Sequence, residues 1–236
     1  MRDGVLRGTA LLIGLTCYGF SMAMMVRAGL GLDPWDVFHQ GLSLRTGMTI
    51  GTASAVVGAV VLLAWIPLRN RLGIGTVANV IVIAVTVDAA LWVLPTPGSL
   101  PGRSAMLVGA VVLNALSTVL YVGAGLGPGP RDGLMTGLVA RTGLSVRLVR
   151  TGIEATVLVA GWLLGGTVGV GTVLYAFGIG PLVQLFLRLT PDSVLAVSGW
   201  RDVVAARRRR GRWRRDGLAT MGECPPPKEM QPTRTC

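Results

Sequence analysis

Two short segments of this chain carry the same residues at positions where a helix would begin. Asp33, Pro34 and Asp36 open the first segment, and Pro130 and Asp132 stand at the equivalent positions of the second, 96 residues later. Aspartate is a favourable N-cap, proline suits the first helical position, and a carboxylate in the first turn faces the positive end of the helix dipole. We expect these carboxylates either to cap their helices or to face a bound solute or ion.

Two further carboxylates lie inside apolar stretches. Asp88 has no partner that the sequence identifies, whereas Glu154 follows Arg150 by one helical turn and could simply pair with it. Because a buried carboxylate is costly in a membrane, both are functional candidates. The candidate solute or ion site therefore comprises Asp33, Pro34, Asp36, Asp88, Pro130, Asp132 and Glu154. The amides Asn79, Asn114 and Gln184 are expected to form hydrogen bonds between helices instead.

The sequence predicts no catalytic residues and no metal site. Asp36, His39 and Ser43 have the spacing of a hydrolase trio on one helix face, but no second element orients them and the second segment lacks them. The three cysteines show neither a CxxC spacing nor a neighbouring histidine. We expect the protein not to be an enzyme and to need no cofactor.

Composition indicates an all-α integral membrane protein. The chain is 51% hydrophobic and 14% charged, with a mean hydropathy of +0.62, whereas soluble domains are about 25% charged. Apolar stretches of about 20 residues, the length that crosses a bilayer, follow one another. The predicted crossings are residues 8–27, 49–68, 74–95, 104–124, 146–166 and 168–190.

The chain contains an internal repeat, residues 8–95 and 104–191, at an offset of 96 residues. Residues 28–47 and 124–143 are identical at 11 of 20 positions. Each repeat holds three predicted crossings, an odd number, so the second would insert upside down and give an inverted 3+3 repeat, as in many transporters. Each repeat also holds a short helix, over 34–46 and 130–142, which at roughly 20 Å cannot span. It could be an amphipathic interfacial helix or a re-entrant half-helix.

Repeated glycines predict turns and close helix contacts. Gly47 and Gly143 can end the short helices in the left-handed conformation, and the pairs that begin at Gly73 and Gly169 suit tight turns before a crossing. No βαβ context supports a nucleotide-binding loop there. The glycines assigned to turns or close packing are Gly29, Gly31, Gly41, Gly47, Gly73, Gly75, Gly125, Gly127, Gly137, Gly143, Gly169 and Gly171.

Arginines predict the orientation. With both termini in the cytoplasm, most arginines lie inside, Arg131 among them, and only Arg27, Arg45 and Arg103 lie outside. Residues 201–236 form a tail with ten basic and four acidic side chains, which we expect to be disordered and to bind anionic lipid. Its basic cluster comprises Arg207, Arg208, Arg209, Arg210, Arg212, Arg214 and Arg215. Specific nucleic-acid binding is not expected, because no fold there supports base recognition.

One group of motifs resembles a known family. They are residues 29–38 (GLGLDPWDVF), 41–43, 46–47 and 73–76, with Asn79. In these segments the chain resembles the YczE/YyaS/YitT family of bacterial integral membrane proteins, and the resemblance extends over residues 8–195. It implies a multi-pass protein of the bacterial plasma membrane, and it carries over no catalytic or binding residues.

Together these features favour a membrane protein that handles a solute. We expect a secondary transporter, or a solute-binding membrane component, for a small solute that meets the starts of the two short helices. The alternative is a non-transporting accessory protein, which would act on a protein partner through its tail or its helix faces. The lipid bilayer is the partner common to both interpretations.

Overall fold

Eight α-helices and no β-strand make up residues 2–70 and 72–190, the part of the chain that the computed structural model describes. The all-helical prediction is therefore confirmed. Helices α1 to α4 belong to the first repeat and α5 to α8 to the second, and α2, α3 and α4 each begin 96 residues before their counterparts α6, α7 and α8. Their bounds are α1 Arg2–Ala28, α2 Pro34–Thr46, α3 Ile50–Leu68, α4 Ile74–Val93, α5 Leu100–Gly123, α6 Pro130–Thr142, α7 Val146–Leu163 and α8 Val170–Leu189.

Five of the described helices, α1, α3, α4, α5 and α8, are long and apolar enough to cross a membrane. They coincide with five of the six predicted crossings. The sixth prediction corresponds to α7, whose 18 residues include the charged side chains of Arg147, Arg150 and Glu154; that crossing stays a prediction. The tail over 201–236, with its basic cluster, lies outside the described residues.

The two short helices form as predicted. The Asp33 carboxylate caps α2 by accepting a hydrogen bond of 2.7 Å from the Asp36 backbone N–H. Gly47 ends α2, and Gly143 ends α6, in the left-handed conformation, with φ of 73° and 68°. At the start of α6 the N-cap is Gly129, and no side chain caps the helix. One short helix is therefore capped by a carboxylate and the other is not.

The first helices of the two repeats, α1 and α5, pack against each other in opposite directions. Arg7, near the start of α1, donates a hydrogen bond of 2.7 Å to the Ala124 carbonyl at the end of α5. Arg103, near the start of α5, donates one of 2.6 Å to the Ala28 carbonyl at the end of α1. Positions 7 and 103, like 28 and 124, differ by 96 residues, so the two contacts are equivalent.

The two short helices pack crosswise between the repeats. Helix α2 lies on α7 of the other repeat, and its counterpart α6 lies on α3. Gly41 of α2 faces the Gly161 carbonyl so closely that an added Cβ would approach the oxygen to 2.5 Å, and Gly137 of α6 similarly faces Leu68 and Asn70. At both positions a larger residue would therefore obstruct the packing of the short helix.

The glycine pairs at the starts of α4 and α8 contact the loop of the opposite repeat. Gly75 donates its backbone N–H to the Leu126 carbonyl at 3.0 Å, and Gly171 donates to the Leu30 carbonyl at 2.8 Å. A Cβ on Gly171 would lie 2.5 Å from the Gly31 oxygen, closer than real Cβ contacts allow. The glycines therefore permit backbone pairing that any larger residue would obstruct.

The repeats differ in how their last two helices pack. Helix α3 lies on α4, with Gly58 against Val80, whereas α7 and α8 make no comparable contact within the described residues. An added Cβ at Gly152 of α7 or Gly180 of α8 would meet nothing within 4 Å. The second repeat is thus open where the first is closed.

Candidate functional site

A cavity of about 580 Å³ lies between the starts of the two short helices. Its walls also come from α1, α3, α4, α5, α7 and α8. The residues that line it at the helix starts are Asp33, Pro34, Trp35, Pro130, Arg131 and Asp132. Five of the candidate site residues, with Glu154 among them, are therefore brought to one cavity. Asp36 lies directly behind this lining.

Arg131 of the second repeat contacts two buried aspartates of the first. Its guanidinium nitrogens lie 3.4 Å from an Asp33 oxygen and 3.3 Å from an Asp36 oxygen. The same guanidinium stands over the Trp35 ring, 5.0 Å from the ring centroid, a distance at which cation–π attraction operates. Asp33 and Asp36 are only 2% and 1% exposed, so this cation compensates two carboxylates that have little contact with solvent.

Arg131 makes contacts that the sequence does not predict. Its position after a crossing predicts only that it lies on the cytoplasmic side with most of the other arginines. Its side chain is 30% exposed and points into the protein interior at the two aspartates. The repeat contains one signal for a special role, because Arg131 stands where the first repeat has Trp35. The aspartate contacts themselves follow from tertiary packing.

Helix α2 is too short to span, and burial governs the ionisation of its polar residues. Burial raises the pKa of Asp36 to about 6, against the opposing effect of the Arg131 charge. Burial also raises the pKa of Asp33, as does the Asp36 carboxylate. Burial, together with the charge on Arg131, lowers the pKa of His39 to about 3. His39 is therefore neutral at physiological pH.

Two buried polar atoms beside the cavity have no hydrogen-bond partner among the described residues. They are Oδ2 of Asp36 and Nδ1 of His39. His39 lines the cavity and is 2% exposed. Because buried polar groups are normally paired, such atoms call for an explanation, and a solute or water in the cavity would supply a partner for His39, which lines it.

Aromatic side chains form another part of the wall. Tyr18 and Tyr121 meet edge to face with ring centroids 5.9 Å apart, and both line the cavity with Tyr175. The Tyr175 hydroxyl donates to Asn114 at 3.1 Å, and Asn114 donates to Ser21 at 2.9 Å. Asn114 therefore joins three helices, as predicted, while Asn79 and Gln184 line the cavity. The internal repeat does not mark these tyrosines as site residues, because none of them has a tyrosine at the equivalent position of the other repeat.

Side chains of the first repeat hold the start of α6 in place. The Trp65 indole N–H donates to the Pro130 carbonyl at 3.1 Å, and the Thr76 hydroxyl donates to the Pro128 carbonyl at 2.8 Å. Asn70 donates to the Gly133 carbonyl at 2.7 Å. This helix start is thereby positioned without a capping side chain of its own.

The remaining charged residues of the cavity differ in their partners. Arg150 and Glu154 form an ion pair of 2.9 Å one turn apart on α7, with both side chains substantially exposed, so the simple pairing proposed for Glu154 exists. Asp132 forms no ion pair with any described side chain. It lies in the first turn of α6, where the helix dipole favours its ionised form. Burial nevertheless raises the pKa of Asp132, against the opposing charges of Arg131 and Arg150.

Asp88 does not line the cavity. Its carboxylate accepts hydrogen bonds from the Gly51 backbone N–H at 2.8 Å and from the Thr49 hydroxyl at 2.6 Å. Asp88 therefore ties the end of α4 to the start of α3. Its repeat partner, Gln184, faces the open cavity instead.

Within the described residues, no three His, Cys, Asp or Glu side chains are grouped closely enough to hold a metal ion. The ionisable groups beside the cavity instead face one another across helix starts. This arrangement can bind a polar or charged small molecule through carboxylates, guanidinium groups and aromatic rings.

Comparisons with known proteins place the chain in a family. Residues 5–188 match the family of unknown function DUF6198. The membrane protein YczE of Bacillus subtilis is 36% identical over 193 residues, which cover 80% of this chain and 88% of YczE. The chain belongs to the YczE/YyaS family.

Other relatives extend this assignment. A protein of Haemophilus influenzae is 42% identical over 179 residues, covering 76% of this chain and 82% of that protein. YyaS of Bacillus subtilis is 23% identical over 189 residues, covering 78% of this chain and 94% of YyaS. No solved structure matches. The family resemblance predicted from the sequence is thus confirmed, and with it a membrane location.

Proposed function

We propose that this protein is a secondary transporter of the bacterial plasma membrane that binds a small solute between the starts of α2 and α6. The observation that carries the proposal is the cavity at which these two short helices, one from each repeat, begin. Inverted-repeat transporters commonly form their solute sites from broken or half-length helices near the membrane midplane. The cavity volume lies in the range of small-molecule sites, about 300–1,000 Å³.

An inverted 3+3 arrangement is part of this proposal. Helices α1, α3 and α4 would cross the membrane in the first repeat, and α5, α7 and α8 in the second. The antiparallel packing of α1 on α5, with equivalent contacts from Arg7 and Arg103, supports it. For α7, the charged pair of Arg150 and Glu154 would face the aqueous cavity, where ionisable residues are tolerated at membrane depth.

The burial of α2 favours a re-entrant half-helix over an interfacial one. Trp35, Asp36, Val37, His39 and Gly41 are all buried, although an interfacial helix would leave its polar face in water. Helix α2 also packs on both α3 and α7. The irregular loop before it is acceptable at membrane depth because it lines a cavity.

The difference between the repeats supports alternating access. In the predicted orientation, the contact of Asp88 with Thr49 and Gly51 closes the outer end of α3 and α4. The equivalent ends of α7 and α8, near the cytoplasm, stand apart and leave Gln184 facing the cavity. If the two repeats exchange these packing arrangements, the cavity closes inside and opens outside, which is transport.

Paired cysteines test this exchange. Cysteines at Thr49 and Asp88 should be joined by a short bifunctional thiol reagent in the described state, because these side chains touch. Cysteines at the equivalent positions, Ser145 and Gln184, should be joined only in the alternative state. We expect both pairs to react in separate variants, and never together in one molecule. Simultaneous cross-linking, or no reaction of the second pair, would contradict alternating access.

A cellular phenotype separates transport from the alternative. If the protein works through the cavity, a gene carrying Asp36→Asn or Asp132→Asn should fail to complement a deletion strain. A gene that lacks residues 201–236 should still complement it. The reverse pattern would indicate an accessory protein that works through its tail.

A further inference from the structure

We infer that the cavity selects small organic cations, with the Asp132 carboxylate as their principal counter-ion. This inference rests on the proposed function, because it specifies the solute class for the same site. Three features support it: the charges that surround the cavity, the ion pairs of each carboxylate, and the aromatic side chains in the wall.

The charges around the cavity do not balance. Asp33, Asp132 and Glu154 line it, and Asp36 lies directly behind. Only two cations, those of Arg131 and Arg150, face these four carboxylates from the described residues that line the cavity. With all six groups ionised, the cavity carries two excess negative charges, and protonation of one aspartate would still leave an excess.

Among these four carboxylates, Asp132 is the one that forms no ion pair with a described side chain. Arg131 is engaged with Asp33 and Asp36, and Arg150 is engaged with Glu154. Asp132 has no such partner in the part of the chain that the structure describes, and it is exposed within the cavity wall. A cation in the cavity would therefore meet a carboxylate that is in no ion pair with a described side chain, although the charges of Arg131 and Arg150 act on it from a distance.

The walls favour an organic cation over a metal ion. Tyr18, Trp35, Tyr121 and Tyr175 present aromatic rings to the cavity, and the Arg131 guanidinium already lies over the Trp35 ring. Rings attract ammonium and guanidinium groups in this way. His39 is buried, and its Nδ1 lies 3.4 Å from an Asp36 oxygen without forming a hydrogen bond, so it adds a neutral hydrogen-bonding group. A metal ion would instead need a cluster of ligands, which the described residues lack.

A cysteine at Met135 provides a charge-sensitive reporter. Met135 lines the cavity beside Asp132, and the native cysteines Cys17, Cys224 and Cys236 are first replaced by serine. The rates of modification by a cationic and an anionic methanethiosulfonate reagent are measured in inverted membrane vesicles, each relative to its rate with free thiol. We expect the cationic reagent to be favoured by about tenfold or more, because a nearby carboxylate raises the local cation concentration.

Two variants test whether Asp132 causes this preference for the cationic reagent. Asp132→Asn should reduce the ratio of the two rates by about tenfold. Arg141→Gln changes the charge by one unit at the other end of α6, more than a Debye length of about 8–10 Å away, and should alter the ratio by less than about twofold. Equal effects of the two variants would contradict the role of Asp132.

The outcomes distinguish the inference from the proposed function. A cysteine at Met135 that reacts with the anionic reagent as fast or faster overturns cation selectivity, while the aqueous cavity of the proposed function stands. A cysteine that reacts with neither reagent from either face of the membrane refutes the cavity itself.

Protection completes the test. Phenyltrimethylammonium should slow the reaction of this cysteine with a neutral maleimide, and benzenesulfonate at the same concentration should not. Asp132→Asn should remove the protection. Protection by the anion, by both compounds or by neither would overturn the inference, whereas protection by the cation alone supports it.

Discussion

Replacing Arg131 by glutamine should destabilise the protein far more than its partly exposed position suggests. The change would leave Asp33 and Asp36, which are 2% and 1% exposed, without their only cation among the described residues. Breaking a buried ion pair costs about 3–5 kcal/mol. Because the Arg131 side chain is 30% exposed and its ion-pair distances are 3.3–3.4 Å, we expect a loss of about 2–4 kcal/mol in the free energy of unfolding.

Equilibrium unfolding in mixed micelles, followed by tryptophan fluorescence, measures this loss. Arg150→Gln is the matched control, since its partner Glu154 is 40% exposed and such pairs contribute less than about 1 kcal/mol. Adding Asp36→Asn to Arg131→Gln should restore part of the stability, because it removes one stranded carboxylate. If Arg131→Gln costs no more than Arg150→Gln, Arg131 does not compensate the aspartates and the reasoning fails.

Three further predictions concern the packing of the repeats. Gly171→Ala should cost about 1–3 kcal/mol in the free energy of unfolding, because its Cβ would collide with the Gly31 carbonyl. The control Gly152→Ala, where nothing lies within 4 Å of the added Cβ, should be neutral or slightly stabilising. Equal losses for the two variants would contradict the contact of Gly171 with Gly31. Arg7→Gln and Arg103→Gln should each cost about 1.5–3 kcal/mol, the net contribution of hydrogen bonds from charged groups, and unequal costs in the same micelle assay would argue against their equivalence. Asp88→Ala should release the start of α3, which hydrogen exchange of the Gly51 amide would report as faster exchange; unchanged exchange would show that Asp88 does not close this end.

Local signals were sufficient to predict the short helices. Asp33, Pro34 and Gly47 determine the bounds of α2 through capping chemistry that depends only on nearby residues, and the structure reproduces those bounds. The repeat then transferred the same bounds to α6, even though Gly129 replaces the aspartate cap. The apolar lengths similarly identified five helices able to cross a membrane.

Tertiary contacts were beyond such signals. The sequence around Arg131 indicates only which side of the membrane it lies on. The aspartates that it contacts, Asp36 and Asp33, are 95 and 98 residues away in the chain. The partners of Asp88 lie 37 and 39 residues distant, at a helix start that only packing brings close. The charged residues of α7 weaken its apolar signal, and two of them, Arg150 and Glu154, line the cavity.

Cysteine labelling from both faces of the membrane tests the central claim, an inverted repeat around a solute cavity, most directly. After Cys17, Cys224 and Cys236 are replaced by serine, single cysteines are placed in turn through 33–47 and 129–143 and labelled with an impermeant reagent in intact cells and in inverted vesicles. The account predicts that the ends of the two short helices label from opposite faces. It also predicts that their starts react only along the aqueous path of the cavity. Labelling of both segments from the same face would contradict the inverted repeat and the transporter proposal that depends on it.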